Sequence, residues 1–250
     1  MDVRDMLADC RSAVGLLTRL PLRFDDGDVP RGAAASWVWP VAGALCGLLS
    51  GFVLTLAVAL ALPPGLCAAL VLATQALVTG AIHEDGLADT ADGFWGGWTR
   101  DRRLAIMKDS HIGTYGVMAL LLVTLARWSA LVTLLSGGAG IWALVGVAAL
   151  SRAPMALILA ALPNARGTGL SNAVGRADWP TAMVGMALAC VIAVPGLGWA
   201  VMPALLMVGL VTVGVAMLAR ARIGGQTGDV LGAAQQLAEL VLLATLTALW

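Results

Sequence analysis

Three aspartates between residues 83 and 97 carry the strongest chemical signal in the chain. Asp85, Asp89 and Asp92 are spaced i, i+4 and i+7. On a helix these offsets place three carboxylates on one face, where their repulsion is destabilising unless a cation neutralises it. Ligands that are all oxygen favour a hard divalent ion such as Mg²⁺ or Mn²⁺. We therefore predict a metal site at Asp85, Asp89 and Asp92, with Asp92 also among the catalytic residues. The alternative is a solvated acidic helix end.

Basic and polar side chains follow this acidic run. Arg103 and Lys108 would bind phosphate oxygens, because arginine offers forked donors and lysine a compact positive charge. Ser110 precedes the next apolar segment and is a further candidate for substrate binding. A reaction at phosphorus also needs a proton acceptor; Asp109 and His83 are both candidates, and the sequence leaves that choice open. For the basic residues the alternative role is anchoring at the membrane surface.

A glycine-rich run at residues 224–229 precedes the last apolar segment. Such loops at the start of a helix can present backbone N–H groups to phosphate, so Gly225, Thr227 and Asp229 are candidate substrate-binding residues. The run lacks the Gly-Lys-Ser/Thr of a P-loop. A plain turn is the alternative, and Asp229 would then cap the last helix or reach the metal.

These residues must be positioned by helices in lipid. The 250-residue chain is 60% hydrophobic and only 12% charged, against about 25% charged in soluble domains, and its apolar residues form long blocks. A formal net charge of zero argues against nucleic acid as a partner. The composition predicts an all-α, polytopic transmembrane helix bundle. Seven spans fit best, with six as the alternative, and they cover residues 37–62, 66–82, 112–135, 141–162, 181–194, 198–219 and 230–250.

The charged residues fall into four segments, which seven spans place on one side of the membrane. These are residues 1–36, 83–111, 163–180 and 220–229, and they hold 13 of the 15 Lys and Arg residues. Because loops rich in Lys and Arg are cytoplasmic, we expect the active site on the cytoplasmic face and the C-terminus on the far side.

We treat the chain as one integral membrane domain, residues 1–250, with a cytoplasmic or interfacial segment at residues 1–36. Residues 3–20 show helical apolar spacing, which fits an amphipathic helix on the membrane surface and a helix capping the bundle equally well. Within the spans, Arg152 and Glu239 lie at similar depth. Ionisable groups in lipid are costly unless paired, so we predict an Arg152–Glu239 ion pair.

Taken together, these motifs resemble the cobalamin synthase family, the adenosylcobinamide-GDP ribazoletransferases. The runs Asp-Gly-Leu-Ala-Asp-Thr-Ala-Asp-Gly (residues 85–93) and Thr-Gly-Asp-Val-Leu-Gly-Ala (residues 227–233) are specific in combination. Further matches include residues 16–21, 39–43 and 106–110, so the resemblance spans nearly the whole chain. Glu84 stands where the family pattern has an apolar residue, so Asp85 is the better candidate ligand.

The resemblance implies a Mg²⁺-dependent transfer in the bacterial inner membrane. A hydroxyl of α-ribazole or its 5′-phosphate attacks the cobinamide-linked phosphate of adenosylcobinamide-GDP, GMP leaves, and the nucleotide loop of cobalamin is formed. This chemistry needs charge neutralised at the transferred phosphorus and on the leaving group, which agrees with the acidic and basic residues above. Membrane lipid is an expected partner, and a homo-oligomer is compatible with the sequence.

Two other functions fit parts of the sequence. Residues 89–93 match the Asp-x-x-Asp-Gly opening of CDP-alcohol phosphotransferases, but Gly96 and Gly97 stand in place of the Ala-Arg that follows in that family. A transporter is favoured only by Arg127, Arg152 and Glu239 within the spans. Dependence on a cytidine or a guanosine nucleotide separates the two enzymes, and GMP release by the purified protein separates an enzyme from a transporter.

Overall fold

The structure is a computed structural model that describes residues 2–22 and 31–249. In these ranges the chain is helical and forms no strand, which confirms the all-α prediction. Over the described residues, two short 3₁₀ helices, Gly32–Val38 and Gly198–Ala200, accompany twelve α-helices. These are α1 Val3–Leu17, α2 Trp39–Ala59, α3 Pro64–Thr79, α4 Ile82–Gly96, α5 Arg100–Ile106, α6 Thr114–Ser136, α7 Ile141–Leu150, α8 Ala153–Ala161, α9 Leu170–Val174, α10 Trp179–Leu197, α11 Val201–Ile223 and α12 Gly228–Leu249.

Among the described residues, five helical stretches are long and apolar enough to cross a membrane. The count becomes six if α3 and α4, which are bent by 88° relative to each other, form one broken span. One of the five, Trp179–Ile223, has 45 residues and joins α10 to α11. A straight helix of that length would extend about 68 Å, more than twice the ~30 Å hydrocarbon core. Counting α10 and α11 separately, with the bent pair as one span, would give seven crossings, and the predicted number of seven stays a prediction.

The ends of α10 and α11 show that the chain reverses between them. Gly196, near the end of α10, packs against the backbone of Trp142 at the start of α7. The carbonyl of Arg222, at the end of α11, accepts a hydrogen bond from Arg103 in the charged region. The sequence predicts that this span ends at residue 194, and this is wrong: α10 continues through Pro195 to Leu197, and the turn follows at Gly198–Ala200. A proline in the last turn of a helix is tolerated when neighbouring groups satisfy the freed carbonyl.

The charged segments converge on one face of the bundle. The Arg100 guanidinium donates to the carbonyls of Ile223, at 2.9 Å, and of Ala165. In the N-terminal segment, Gly32 packs against the carbonyl of Val174, too closely to leave room for a side chain, which joins residues 1–36 to residues 163–180. These contacts link all four segments that hold most of the Lys and Arg residues. The shared side that the sequence predicts is therefore present in the fold.

The N-terminal helix α1 packs on the bundle through its second half. Its buried Asp9 accepts a hydrogen bond from Trp37 Nε1 at 2.9 Å and lies 2.6 Å from Arg31 Nε. Val3 and Leu7 remain exposed at the other end. Helix α1 thus caps the bundle, while its apposition to the membrane surface stays a prediction. Residues 1 and 23–30 of the predicted N-terminal segment lie outside the described residues.

A buried group of four charges joins the helices inside the bundle. Arg152 Nη1 lies 3.5 Å from Glu239 Oε2, which confirms the predicted pair. Arg127 Nη2 is closer to Glu239, at 2.6 Å, and Arg127 Nη1 lies 3.6 Å from Glu84 Oε1. Two arginines and two glutamates sum to zero charge, so the group is neutral as a unit. Glu84 stands where the family pattern has an apolar residue, and its contact with Arg127 gives this charge a partner.

Candidate active site

Helix α4 carries the aspartate motif, and it lies against the start of α12. The close approach depends on two glycines, one on each helix. A Cβ at Gly86 would lie 2.7 Å from the carbonyl oxygen of Asp229, and a Cβ at Gly232 would lie 3.2 Å from the Cα of His83. Without side chains at these positions the two backbones pack directly. The packing brings the motif of residues 85–93 next to Asp229.

The three motif aspartates differ in burial along α4. Asp85 is exposed, Asp89 is half-buried and Asp92 is buried. Asp85 and Asp229 line the same cavity. The Asp89 carboxylate is close enough to interact electrostatically with Asp229, Asp85 and Asp92, and with the Arg166 guanidinium. The structure therefore brings the predicted carboxylates together and adds Asp229 to them.

Asp92 has a structural partner that the sequence did not reveal. Its Oδ2 accepts a hydrogen bond from the N–H of Gly113 at 2.6 Å, and its Oδ1 accepts one from the N–H of Gly116 at 2.9 Å. These donors belong to the start of α6, where backbone N–H groups lack helical partners. Asp92 thereby fixes the start of α6 to α4. Its predicted metal and catalytic roles stay predictions.

The oxygen donors in this region suit a Mg²⁺ ion that is bound partly by water and substrate. Among the described residues they do not form a site in which the protein supplies all the ligands. Across residues 2–22 and 31–249, no three His, Cys, Asp or Glu side chains are placed to hold one ion. Mg²⁺ is usually bound by one or two carboxylates, with water and substrate phosphates completing its coordination. Asp85, Asp89 and Asp229 supply such oxygen donors from two helices packed through Gly86. The residues present therefore fit Mg²⁺ held jointly with a phosphate-bearing substrate.

Arg166 is a site residue that sequence reasoning missed. Its Nη2 lies 2.8 Å from Asp229 Oδ2. The loop is held by Asn164, whose Oδ1 accepts hydrogen bonds from the backbone N–H groups of Arg166 and Gly167 at 2.9 and 2.8 Å. The only signal in the sequence was the charge of segment 163–180, because no motif surrounds Arg166.

The glycine-rich run positions Asp229 through its backbone. Gly225 packs against the carbonyl of Pro163, too closely to leave room for a side chain. Gln226 N donates to the same carbonyl at 2.8 Å. Thr227 is buried; its hydroxyl donates to Asp229 Oδ2 at 3.2 Å and accepts from Val230 N at 3.4 Å, at the start of α12. Gly225 and Thr227 thus help to position Asp229, and their contact with substrate stays a prediction.

The predicted phosphate-binding residues lie at the other end of α4. Lys108 and Ser110 are exposed in the connection between α5 and α6. Arg103 is partly engaged: its Nε donates to the carbonyl of Gly97 at 2.9 Å and its Nη1 to that of Arg222 at 3.0 Å. Arg103 therefore joins α5 to α11, and its phosphate contact stays a prediction. Lys108 is the freer cation for an incoming diphosphate.

The two candidate bases differ in environment. The exposed Asp109 Oδ1 lies 2.7 Å from Nδ1 of His111. Hydrogen bonds from His111 lower the pKa of Asp109, and the same side-chain contact raises the pKa of His111. A carboxylate with a lowered pKa is a weaker proton acceptor. His83 is instead buried and lines the cavity beside Asp85. The choice between the two bases stays open.

Comparison with known proteins identifies close relatives over almost the full length. Residues 9–247 match the family model described as cobalamin-5-phosphate synthase. The adenosylcobinamide-GDP ribazoletransferase of Brucella ovis is 43% identical to this chain, covering 97% of both chains. The protein of the same name from Brucella anthropi is 44% identical, with 98% of both chains covered. No solved structure matches the chain.

Proposed function

The chain belongs to the cobalamin-5-phosphate synthase family, and from this membership we propose which of its residues perform the transfer. It is a transferase that assembles the nucleotide loop of cobalamin from adenosylcobinamide-GDP and an α-ribazole. The ribazole hydroxyl forms a bond to the cobinamide-linked phosphorus, the bond from that phosphorus to GMP breaks, and GMP leaves. Family membership therefore favours this guanosine-nucleotide reaction over the two alternative functions, a CDP-alcohol phosphotransferase and a transporter.

The observation that carries the proposal is the line of carboxylates along α4 beside Asp229. One end of this line borders a cavity that Asp85, Asp229 and Arg166 share, and the other end adjoins the connection that holds Lys108. Residues seven apart on a helix are separated by about 10 Å along its axis. The arrangement can therefore receive one substrate from each end, with Asp89 between them.

The proposed roles follow from this layout. Two of the carboxylates of Asp85, Asp89 and Asp229 would hold Mg²⁺ together with substrate phosphate oxygens, and the ion when bound would supply charge neutralisation at the transferred phosphorus and on the leaving nucleotide. Lys108 would hold the diphosphate of adenosylcobinamide-GDP. Arg166, already paired with Asp229, would bind phosphate or ribose oxygens of the second substrate, because its fork has further donors. Asp92 would hold the start of α6 against α4.

Replacing Lys108 by Ala tests the diphosphate contact. We expect the KM for adenosylcobinamide-GDP to rise about ten- to a hundredfold, since a lost hydrogen bond to a charged group costs about 1.5–3 kcal/mol. The KM for α-ribazole should change much less. The measurement is GMP release by purified protein as each substrate is varied. Arg102→Ala is the matched control, because Arg102 is an exposed cation of the same region. Equal effects on both substrates, or none, would make Lys108 a membrane anchor.

We also propose that the charged face is cytoplasmic and that the protein resides in the bacterial inner membrane. Supporting this are the contacts that join the four Lys- and Arg-rich segments on one face, because such segments are retained in the cytoplasm. Reporter domains fused within residues 136–140 and after residue 250 are expected to give external signals. A fusion within residues 100–110 serves as the internal control. Cytoplasmic signals at both external positions would contradict the orientation.

A further inference from the structure

The cavity beside the carboxylates has an apolar interior. Its volume is about 240 Å³, slightly below the ~300–1,000 Å³ of pockets for drug-sized ligands. Asp85, Arg166 and Asp229 line one part of it. Half of the remaining lining residues are aliphatic and come from five helices, with contributions from Leu17, Ile82, Met155, Val174 and Leu231. The cavity thus has an apolar part and, at its edge, a charged part.

Two residues of the cavity wall carry a buried, unpaired ring nitrogen. Trp39 and His83 both line the cavity, and each is only 2% exposed. Trp39 Nε1 and His83 Nε2 are buried and have no hydrogen-bond partner among the described residues. Buried polar groups in proteins are nearly always paired. The indole N–H can only donate, so its missing partner is an acceptor.

We infer that this cavity binds the heterocyclic base of the α-ribazole, with Trp39 Nε1 donating to the unsubstituted ring nitrogen of the base. The inference rests on the proposed function, because it assigns one of the two substrates of that reaction to this cavity. A benzimidazole is flat, largely apolar and bicyclic, and it has one free acceptor nitrogen once the other carries ribose. These properties match a small aliphatic chamber with a buried indole donor.

The other large groups of the substrates fit the cavity less well. A corrin macrocycle is far larger than the chamber. Guanine presents donors and acceptors around most of its edge, and an aliphatic wall would leave most of them unpaired, which is costly. With the base seated between Trp39 and the aliphatic side chains, the ribose faces the rim. Its hydroxyls then lie near Arg166, Asp229 and Asp85, where the attacking oxygen is needed.

The test removes the donor from the protein and the acceptor from the ligand. Trp39→Phe should raise the KM for α-ribazole about two- to tenfold, the range for one neutral hydrogen bond, and leave the KM for adenosylcobinamide-GDP unchanged. An indole riboside, in which C–H replaces the acceptor nitrogen, should be a similarly weakened substrate for the parent protein. In Trp39→Phe the preference for benzimidazole over indole should disappear. Trp199→Phe, in the turn at the opposite end of the bundle, is the matched control.

A second variant covers the case that Trp39→Phe does not fold. Leu170 lines the cavity and is 64% exposed, so Leu170→Trp should narrow the chamber without disturbing the core and should also raise the KM for α-ribazole. The inference is overturned if the benzimidazole preference persists in Trp39→Phe, or if either variant affects adenosylcobinamide-GDP instead. Absence of GMP release from the parent protein would refute the proposed function alone, since equilibrium dialysis of the two ribosides still tests the cavity.

Discussion

Asp85→Asn and Asp89→Asn are each expected to reduce GMP release by at least about a hundredfold while the protein still folds and inserts. The substitution keeps the size of the side chain and removes its charge, so it tests electrostatics and not packing. Removing one preorganised group that stabilises transition-state charge typically costs about 10²–10³ in kcat. Because Asp85 is exposed and Asp89 half-buried, the change leaves the helix core intact. The measurement is substrate-dependent GMP release in detergent or liposomes.

Dependence on a metal ion completes this prediction. A chelator should abolish GMP release, Mg²⁺ should restore it, and Ca²⁺ should restore it poorly, because Ca²⁺ accepts looser and higher coordination than Mg²⁺. Asp101→Asn is the matched control, since Asp101 is an exposed carboxylate on the neighbouring α5. Turnover within about tenfold of the parent in the Asp85 and Asp89 variants, or indifference to chelator, would make the motif a solvated helix end.

Asp92→Asn should also abolish GMP release, with an additional structural component. The carboxylate accepts hydrogen bonds from both Gly113 and Gly116, whereas an amide offers only one oxygen acceptor. Asp92→Asn is therefore expected to lower thermal stability as well as activity, unlike the substitutions at Asp85 and Asp89. Equal thermal stability of all three variants would show that the contacts of Asp92 with α6 contribute little.

Glu239→Leu is expected to destabilise the folded protein by about 3–5 kcal/mol, the range for removing one partner of a buried ion pair. Glu239 accepts from Arg127 and from Gln235, at 2.6 and 2.7 Å, and is only 2% exposed. Its loss leaves Arg127 and Arg152 with Glu84 as the only opposing charge in the group. The measurement is thermal or denaturant unfolding of the purified protein.

Restoring neutrality should reverse much of this loss. In Arg127→Met/Glu239→Leu the buried group keeps one arginine and one glutamate, so the double variant should be more stable than the sum of the single effects predicts. Thr247→Leu on the same helix is the matched control for adding leucine to α12. An additive double variant, or a Glu239→Leu protein as stable as the parent, would contradict the role of this group in stability.

The transmembrane class of the chain and the grouping of its charged segments on one face could be predicted from the sequence, because both depend on composition along the chain. Blocks of apolar residues identify helices in lipid wherever they occur, and Lys and Arg in loops indicate orientation without any tertiary contact. The Arg152–Glu239 pair could also be predicted, since equal depth in lipid leaves few partners for a charge. The spacing of Asp85, Asp89 and Asp92 was informative because a single helix carries all three.

Only the tertiary structure showed which partners the candidate site residues contact. Arg166 reaches Asp229 across 63 positions of the sequence, and Asp92 caps a helix that begins 22 residues later. Trp39, a residue of one of the family-like motifs, becomes a wall of the cavity only because α2, α4, α8 and α12 converge there. Such contacts depend on how helices approach, which glycines such as Gly86 permit but do not specify. The sequence therefore determined the chemistry available on each helix, and the packing of helices determined which groups meet.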